Sequence, residues 1–101
     1  MAQIVWTNRA IADLDGISEY IALDNLGAAS RVAERVVSHA VHLSKHPFIG
    51  SVIPELADKH FRQIVEPPVR IYYRFDGEKV YILHIFRFER LLRPSHLEGY
   101  E

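Results

Sequence analysis

The spacing of apolar residues along the chain changes once, at about residue 60. Before that point the pattern is helical, after a short start in which Ile4, Val5 and Trp6 favour a strand over Gln3–Trp6. Thr7 stands where a helix N-cap is expected. Ile11, Leu14, Ile17 and Ile21 then recur three, three and four residues apart, which places them on one face of a helix. Asp24-Asn25 ends this helix and can cap the next. The second runs from about Leu26 to Lys45, with an apolar stripe of Ala29, Val32, Ala33, Val36, Val37, Ala40 and Leu43. Pro47 stops it, because the residue before a proline avoids helical geometry. The short link between the helices predicts an antiparallel hairpin.

Phe48 to Lys59, with Gly50 and Pro54, reads as a connecting loop that lays Phe48, Ile53 and Leu56 on the core. From His60 the period falls to two. Phe61–Glu66, Val69–Phe75 and Lys79–Phe88 read as strands, with Pro67-Pro68 and Asp76-Gly77 as turns. The expected fold is therefore α+β: a short N-terminal strand and an antiparallel helical hairpin packed on a mainly antiparallel sheet of three to four strands. At 101 residues the chain suits a single domain, 1–101, with 91–101 as a short C-terminal tail.

A two-residue Asp76-Gly77 turn would set Phe75 opposite Glu78, Tyr73 opposite Val80, Tyr72 opposite Tyr81, Arg74 opposite Lys79 and Arg70 opposite Leu83. Val69, Ile71, Tyr73, Phe75, Val80, Ile82, His84 and Phe86 then face the helices. Arg70, Tyr72, Arg74, Lys79, Tyr81 and, without a bulge, Arg87 face the other way.

Composition sharpens this picture in two places. Hydrophobic residues at 49% and charged residues at 25% are the balance of a packed globular chain. The absence of cysteine excludes disulfide and thiolate chemistry. The N-terminus has no signal-peptide pattern, and the longest apolar stretch, Val80 to Phe86, is too short for a membrane span, so the expected location is cytoplasmic. Net charge is −1 but unevenly placed. Residues 61–93 carry seven basic against four acidic side chains, while residues 1–60 carry five against seven. A locally basic sheet on a near-neutral protein points to a defined anionic partner.

Arginines interleaved with tyrosines suit phosphate or carboxylate recognition, although one face of an antiparallel sheet is ordinarily solvated and long basic side chains cover it well. His39, His42 and His46, at i, i+3 and i+7, have acceptable spacing for metal ligands, but they flank the apolar stripe and no nearby carboxylate completes a set. They read as a histidine-rich polar face, and His84 as a satisfied core histidine. Neither a nucleophilic triad nor a phosphate-cradling glycine loop can be assembled. No cofactor is expected.

The order of these motifs resembles the RelE/ParE toxin superfamily of type II toxin–antitoxin modules. The resemblance rests on Trp6-Thr7, Ala10, Asp13-Leu14, Ile17 and Tyr20-Ile21. It continues in His46-Pro47-Phe48-Ile49-Gly50, Pro54-Glu55-Leu56 and the hairpin Val69-Arg70-Ile71-Tyr72-Tyr73-Arg74-Phe75-Asp76-Gly77 followed by Val80-Tyr81-Ile82-Leu83. It implies a toxin silenced by a cognate antitoxin, encoded next to it, that docks on the helical hairpin and sheet edge. In the RelE-like branch such proteins are ribosome-dependent mRNA endoribonucleases; the ParE-like branch is associated with DNA gyrase.

The ParE-like branch is favoured. Where RelE-like chains carry lysines before the hairpin, this one has Phe61, Gln63 and Ile64, with only Arg62 basic. Phe88-Glu89-Arg90 stands where a glycine and a basic pair are usual, so only Arg90 matches. On this reading Arg62, Arg70, Tyr72, Arg74, Tyr81, Arg87 and Arg90 contact the target. Leu91 and Leu92, with Leu97, await cover by the antitoxin. Were the protein a ribonuclease, Arg70, Arg90 and His96 would carry catalysis. A non-toxic antitoxin-binding module of the same fold is the third reading, and a homodimer or a heterotetramer with antitoxin fits any of them.

Overall fold

The computed structural model describes residues 1–54, 56 and 60–100. The elements are β1 (Gln3–Trp6), α1 (Asn8–Ala22), α2 (Leu26–Leu43), β2 (Ser51–Val52), β3 (Phe61–Glu66), β4 (Val69–Phe75) and β5 (Lys79–Arg87), followed by a 3-10 turn over Pro94–Leu97. The fold is α+β, with the expected helical hairpin on a mixed sheet. That sheet has five strands in the order β1-β5-β4-β3-β2; β1 runs parallel to β5 and the other pairs are antiparallel. Glu55 of the Pro54-Glu55-Leu56 motif, Ala57–Lys59 of the expected loop and the last residue of the tail lie outside the described residues.

Thr7 and Asn25 are the N-caps. Each side-chain oxygen accepts a helix N–H that would otherwise be orphaned, from Ala10 at 3.2 Å and Ala28 at 2.9 Å. Thr7 also donates its hydroxyl to Ile82 O at 2.7 Å, which anchors the start of α1 to β5. In α1 the expected face packs on the core at Leu14, Ile17 and Ile21, but its first position is taken by the buried Ala10 and Ile11 points outward. In α2 Ala29, Val32, Val36, Ala40 and Leu43 are buried as the stripe predicts, while Val37 is exposed.

The stretch expected to be a plain loop contains β2, which pairs with Arg62 and Gln63 of β3. Its entry is fixed from the sheet. Tyr73 donates its hydroxyl to Pro47 O at 2.7 Å and accepts the Gly50 N–H at 3.0 Å. A Cβ on Gly50 would fall 2.7 Å from the Tyr73 ring and 2.8 Å from Gln63 O, so only glycine permits this approach. Burial pushes the Tyr73 phenol above its ordinary value, partly offset by the Gly50 hydrogen bond and by Arg62. Ile53 is buried and Leu56 half-buried as expected, but Phe48 is exposed, its ring edge-on to Phe75 at 5.3 Å.

Two corrections to the expected register reshape the sheet. The β4–β5 turn is centred on Gly77-Glu78, because the Asp76 carboxylate accepts the backbone N–H groups of Glu78 at 2.9 Å and Lys79 at 2.7 Å. Gly77 takes the positive φ, 100°, at the first central position. These N–H groups hold the Asp76 carboxyl below its usual range, Lys79 contributing most. Phe75 therefore faces Val80, Arg74 faces Tyr81 and Tyr73 faces Ile82. A two-residue change in pairing keeps every side chain on its expected face.

The second correction does not. Between Tyr73↔Ile82 and Tyr72↔His84 the register shifts, leaving Leu83 as the extra residue of a β-bulge. Beyond it the faces of β5 exchange: Ile85 joins the helix-side core, whereas Phe86, expected against the helices, turns to the far side beside Leu83, which keeps its expected face. The helix-side core gathers Val36, Leu43, Val69, Ile71, Tyr73, Val80, Ile82 and Ile85. The far side is not a solvated face. Ile53, Phe61, Tyr72, Leu83, Phe86 and Leu97 form a second buried cluster there, with Leu56, Tyr81, Leu92 and Tyr100 around it.

Candidate functional site

The basic residues of the sheet are distributed over both faces. Arg70 and Arg74 lie on the far side, as β4 alternation predicts, and both are partly exposed. Arg70 rests on the Phe88 ring, 4.5 Å from guanidinium carbon to centroid. Arg74 Nε is buried without a hydrogen-bond partner among the described residues. Tyr72 shares that face but is buried at 4% exposure, packed edge-to-face on Phe86 at 5.7 Å, so it contributes packing and not contact area. Tyr81 is half-buried and its hydroxyl reaches the Asp76 carboxylate at 3.3 Å.

Arg62 and Arg87 depart from the expected constellation. Arg62 pairs with Tyr73, whose ring is in the helix-side core, and donates to Gly50 O at 2.8 Å while covering the Phe48 ring at 5.2 Å. It clamps the turn before β2. Arg87 lies past the bulge opposite the buried Val69, so it turns to α1 and stacks on Tyr20 at 4.1 Å. Arg90 lies over the Phe86 ring, 4.1 Å from guanidinium carbon to centroid. The unusual Phe88-Glu89 pair thus has local partners: Phe88 supports Arg70, and Glu89 meets Arg87 at 3.4 Å.

Asp13, noted in the sequence only within the Asp13-Leu14 motif, ties α1 to the end of β5. Its Oδ2 takes the Ile85 N–H at 3.1 Å where β1 no longer covers β5, and lies 2.7 Å from His84 Nδ1. His84 Nε2 lies 3.1 Å from His96 O. The core histidine is therefore buried and satisfied, yet it links α1 to the tail instead of facing the helices alone. His96 closes the tail turn by accepting the Arg93 N–H on Nδ1 at 2.9 Å. Desolvation first, then the charges of Arg90, His84 and Arg93, hold its pKa below the ordinary 6.5.

The tail is already folded on the sheet. Leu97 is buried and Leu92 half-buried; of the three leucines expected to await cover, Leu91 alone is largely exposed, at 73%. On α2, His39 meets Glu66 at 2.8 Å and His42 stacks on His46 at 4.7 Å, so the three histidines do not converge. Among the described residues no group of three or more His, Asp or Glu side chains could hold a metal ion, and no helix is long and apolar enough to cross a membrane.

Beside α1 the structure opens a groove of about 380 Å³, lined by Gly16, Tyr20 and Asp13 on one wall and by Ile85, Arg87 and Arg90 on the other. Gly16 was not singled out from the sequence, and Tyr20 only as part of the Tyr20-Ile21 motif; a glycine in mid-helix, where it costs stability, was the available signal.

Three comparisons bear on this geometry. The family model described as "ParE toxin of type II toxin-antitoxin system, parDE" matches residues 4–92. A relative from Caulobacter vibrioides named Toxin RelE2 is 40% identical over 95 residues, which cover 92% of this chain and 99% of that protein. A solved structure described as a chromosomal ParDE toxin–antitoxin system from P. aeruginosa superposes with a TM-score of 0.69 at 28% identity, over 86% of this chain and 96% of the other.

Proposed function

The chain belongs to the ParE toxin family of type II toxin–antitoxin systems, and from that premise we propose that it poisons DNA gyrase by binding, with Arg70, Arg74 and Arg90 as the charged contacts. Its partner in the cell is a ParD-type antitoxin, the arrangement in the ParDE neighbour. The observation that carries the gyrase reading is the state of the acid–base groups around those arginines. Tyr72 is buried, the Tyr81 hydroxyl is directed at Asp76, and His96 Nδ1 is occupied by the Arg93 N–H. Phosphodiester cleavage needs a base and an acid within reach of the reacting oxygens. Here those groups hold the fold together, and the arginines on their aromatic supports remain as recognition elements.

The test is a supercoiling assay with purified gyrase and toxin. Inhibition that weakens about tenfold or more in Arg70→Ala supports the reading. Undisturbed supercoiling at saturating toxin sinks it. The 40% identical relative named Toxin RelE2 favours a second reading, a ribosome-dependent mRNA endoribonuclease using Arg70, Arg90 and His96. Cleavage of mRNA on translating ribosomes, lost in His96→Ala, would establish that instead. A protein inert in both assays that still binds its antitoxin would be a binding module that keeps only the fold.

A further inference from the structure

The three histidines of α2 and its end do not converge as a trio, but two of them form a pair that the toxin's packing leaves unused. His39 spends Nε2 on Glu66 at 2.8 Å. His42 and His46 are exposed and have no hydrogen-bond or ion-pair partner among the described residues. The ring contact they make is with each other, at 4.7 Å between centroids and 38° between planes.

The backbone holds this pair in place past the end of α2. Although the helix closes at Leu43, the His46 N–H still donates to His42 O at 3.2 Å, the bond of a regular helical turn. The two side chains therefore leave one face, one above the other. On the far side of His46 the chain is also tied: its carbonyl accepts the Ile49 N–H at 3.2 Å, and Pro47 O takes the Tyr73 hydroxyl at 2.7 Å. Fixed from both directions, the pair has little beyond its side-chain rotations to lose on binding a ligand.

Two imidazoles one helical turn apart are a known donor arrangement for zinc. Rings bound through one nitrogen each at about 2.1 Å, with angles of about 90–110° at the ion, bring their centroids about 4.5–5.2 Å apart. The observed 4.7 Å falls within that range. The position favours a cation as well, because the last carbonyls of α2 carry the negative end of the helix dipole. Lys45, between the two in sequence, is exposed, so solvent and salt screen its opposing charge.

We propose that His42 and His46 form a bidentate site for a divalent transition-metal ion. Imidazole nitrogen sets the preference: Cu²⁺ binds most tightly, Ni²⁺ and Zn²⁺ less so, and Mg²⁺, which demands oxygen ligands, is rejected. Water fills the remaining positions on the ion. The ion staples the last turn of α2 to the turn that leads into β2 and stabilises the folded chain by mass action. The site goes beyond the toxin reading and depends on neither its target nor its antitoxin.

The test titrates the untagged full chain with Cu²⁺, Ni²⁺, Zn²⁺ or Mg²⁺ in a calorimeter, with melting temperature and hydrogen exchange measured alongside. One ion should bind per chain. At free Zn²⁺ about tenfold above its dissociation constant the melting temperature should rise by about 4 °C, and amides from His46 to Gly50 should exchange more slowly. His42→Ala and His46→Ala, at exposed positions, should melt like the parent without the ion and weaken its binding about tenfold or more. His39→Ala should leave the affinity within about twofold. The proposal is overturned by the absence of binding at about 1 mM Cu²⁺, by unchanged affinity in the His42 and His46 variants, or by Mg²⁺ binding as tightly as Zn²⁺. One ion per two chains, with dimerisation, also overturns it, since the site would then be shared between copies.

Discussion

The two faces of the sheet bury comparable side chains by different means. On one side two capped helices lay regular stripes over Val69, Ile71, Val80, Ile82 and Ile85. On the other, irregular chain does the work: Ile53 after β2, and the tail through Leu97, closing over Tyr72, Leu83 and Phe86. Helices carry their own backbone hydrogen bonds to the interface, whereas a tail must be tied down bond by bond. Here the ties run through His84, His96 and Arg93. The helix side should therefore set global stability. The tail side should open at a lower free energy, and it is the side where Arg70, Arg74 and Arg90 lie.

The largest expected effect tests the helix side. Ile82 is fully buried there, and Ile82→Ala should cost about 4 kcal/mol, lowering the melting temperature and the protection of all slow amides together. A loss confined to one segment would show that the helix-side core is not one cooperative unit.

Asp13→Ala strikes the link between the faces. It strips the acceptor from a buried histidine and from the Ile85 N–H, at a cost of about 3 kcal/mol. Because His84 also holds His96 O, the variant should loosen residues 93–100 in hydrogen exchange in addition to lowering global stability. Tail exchange like that of the unaltered protein would mean that the two faces are not coupled through His84.

Leu97→Ala should cost less, about 2 kcal/mol, because the tail can detach instead of keeping a cavity. Its signature is faster exchange of the tail amides with the helix amides unmoved. Equal destabilisation by Leu97→Ala and Ile82→Ala would erase the difference between the faces.

The asymmetry also explains what could be read from the sequence. Both helices, their caps and four of the five strands were legible because their apolar residues keep a fixed period or favour pleated structure and their caps are chemically distinctive. Arg70 and Arg74 were placed on their true face because β4 alternates without interruption. β2, two residues long, is too short to show a period. The bulge at Leu83 lies inside Val80–Phe86, where apolar residues occupy both faces, so the exchange of sides left no mark in the pattern. That one residue carried Arg87 from the expected target face to the α1 groove. The tail's cover of Tyr72 was hidden for a related reason: Leu92 and Leu97 follow no period, and isolated leucines in a polar stretch read as unpartnered.

The smallest expected effect isolates the tail side by pH alone. His96 keeps a folded pKa below its ordinary 6.5, chiefly through desolvation, so the unfolded or detached tail binds a proton more readily than the docked one. Stability from docking is therefore complete above about pH 6.5 and declines as pH falls from there through the folded value. Geometry gives the same sign: a proton on Nδ1 removes the acceptor of the Arg93 N–H and places a cation beside Arg90. Lowering pH from 7.5 to about 5.5 should raise tail exchange, after correction for its intrinsic pH dependence, more than exchange in α2. His96→Asn, which keeps an oxygen acceptor but does not titrate, should flatten that difference. The helix side is held at its centre by apolar packing, so a pH response of equal size in α2 would show that the two faces open together.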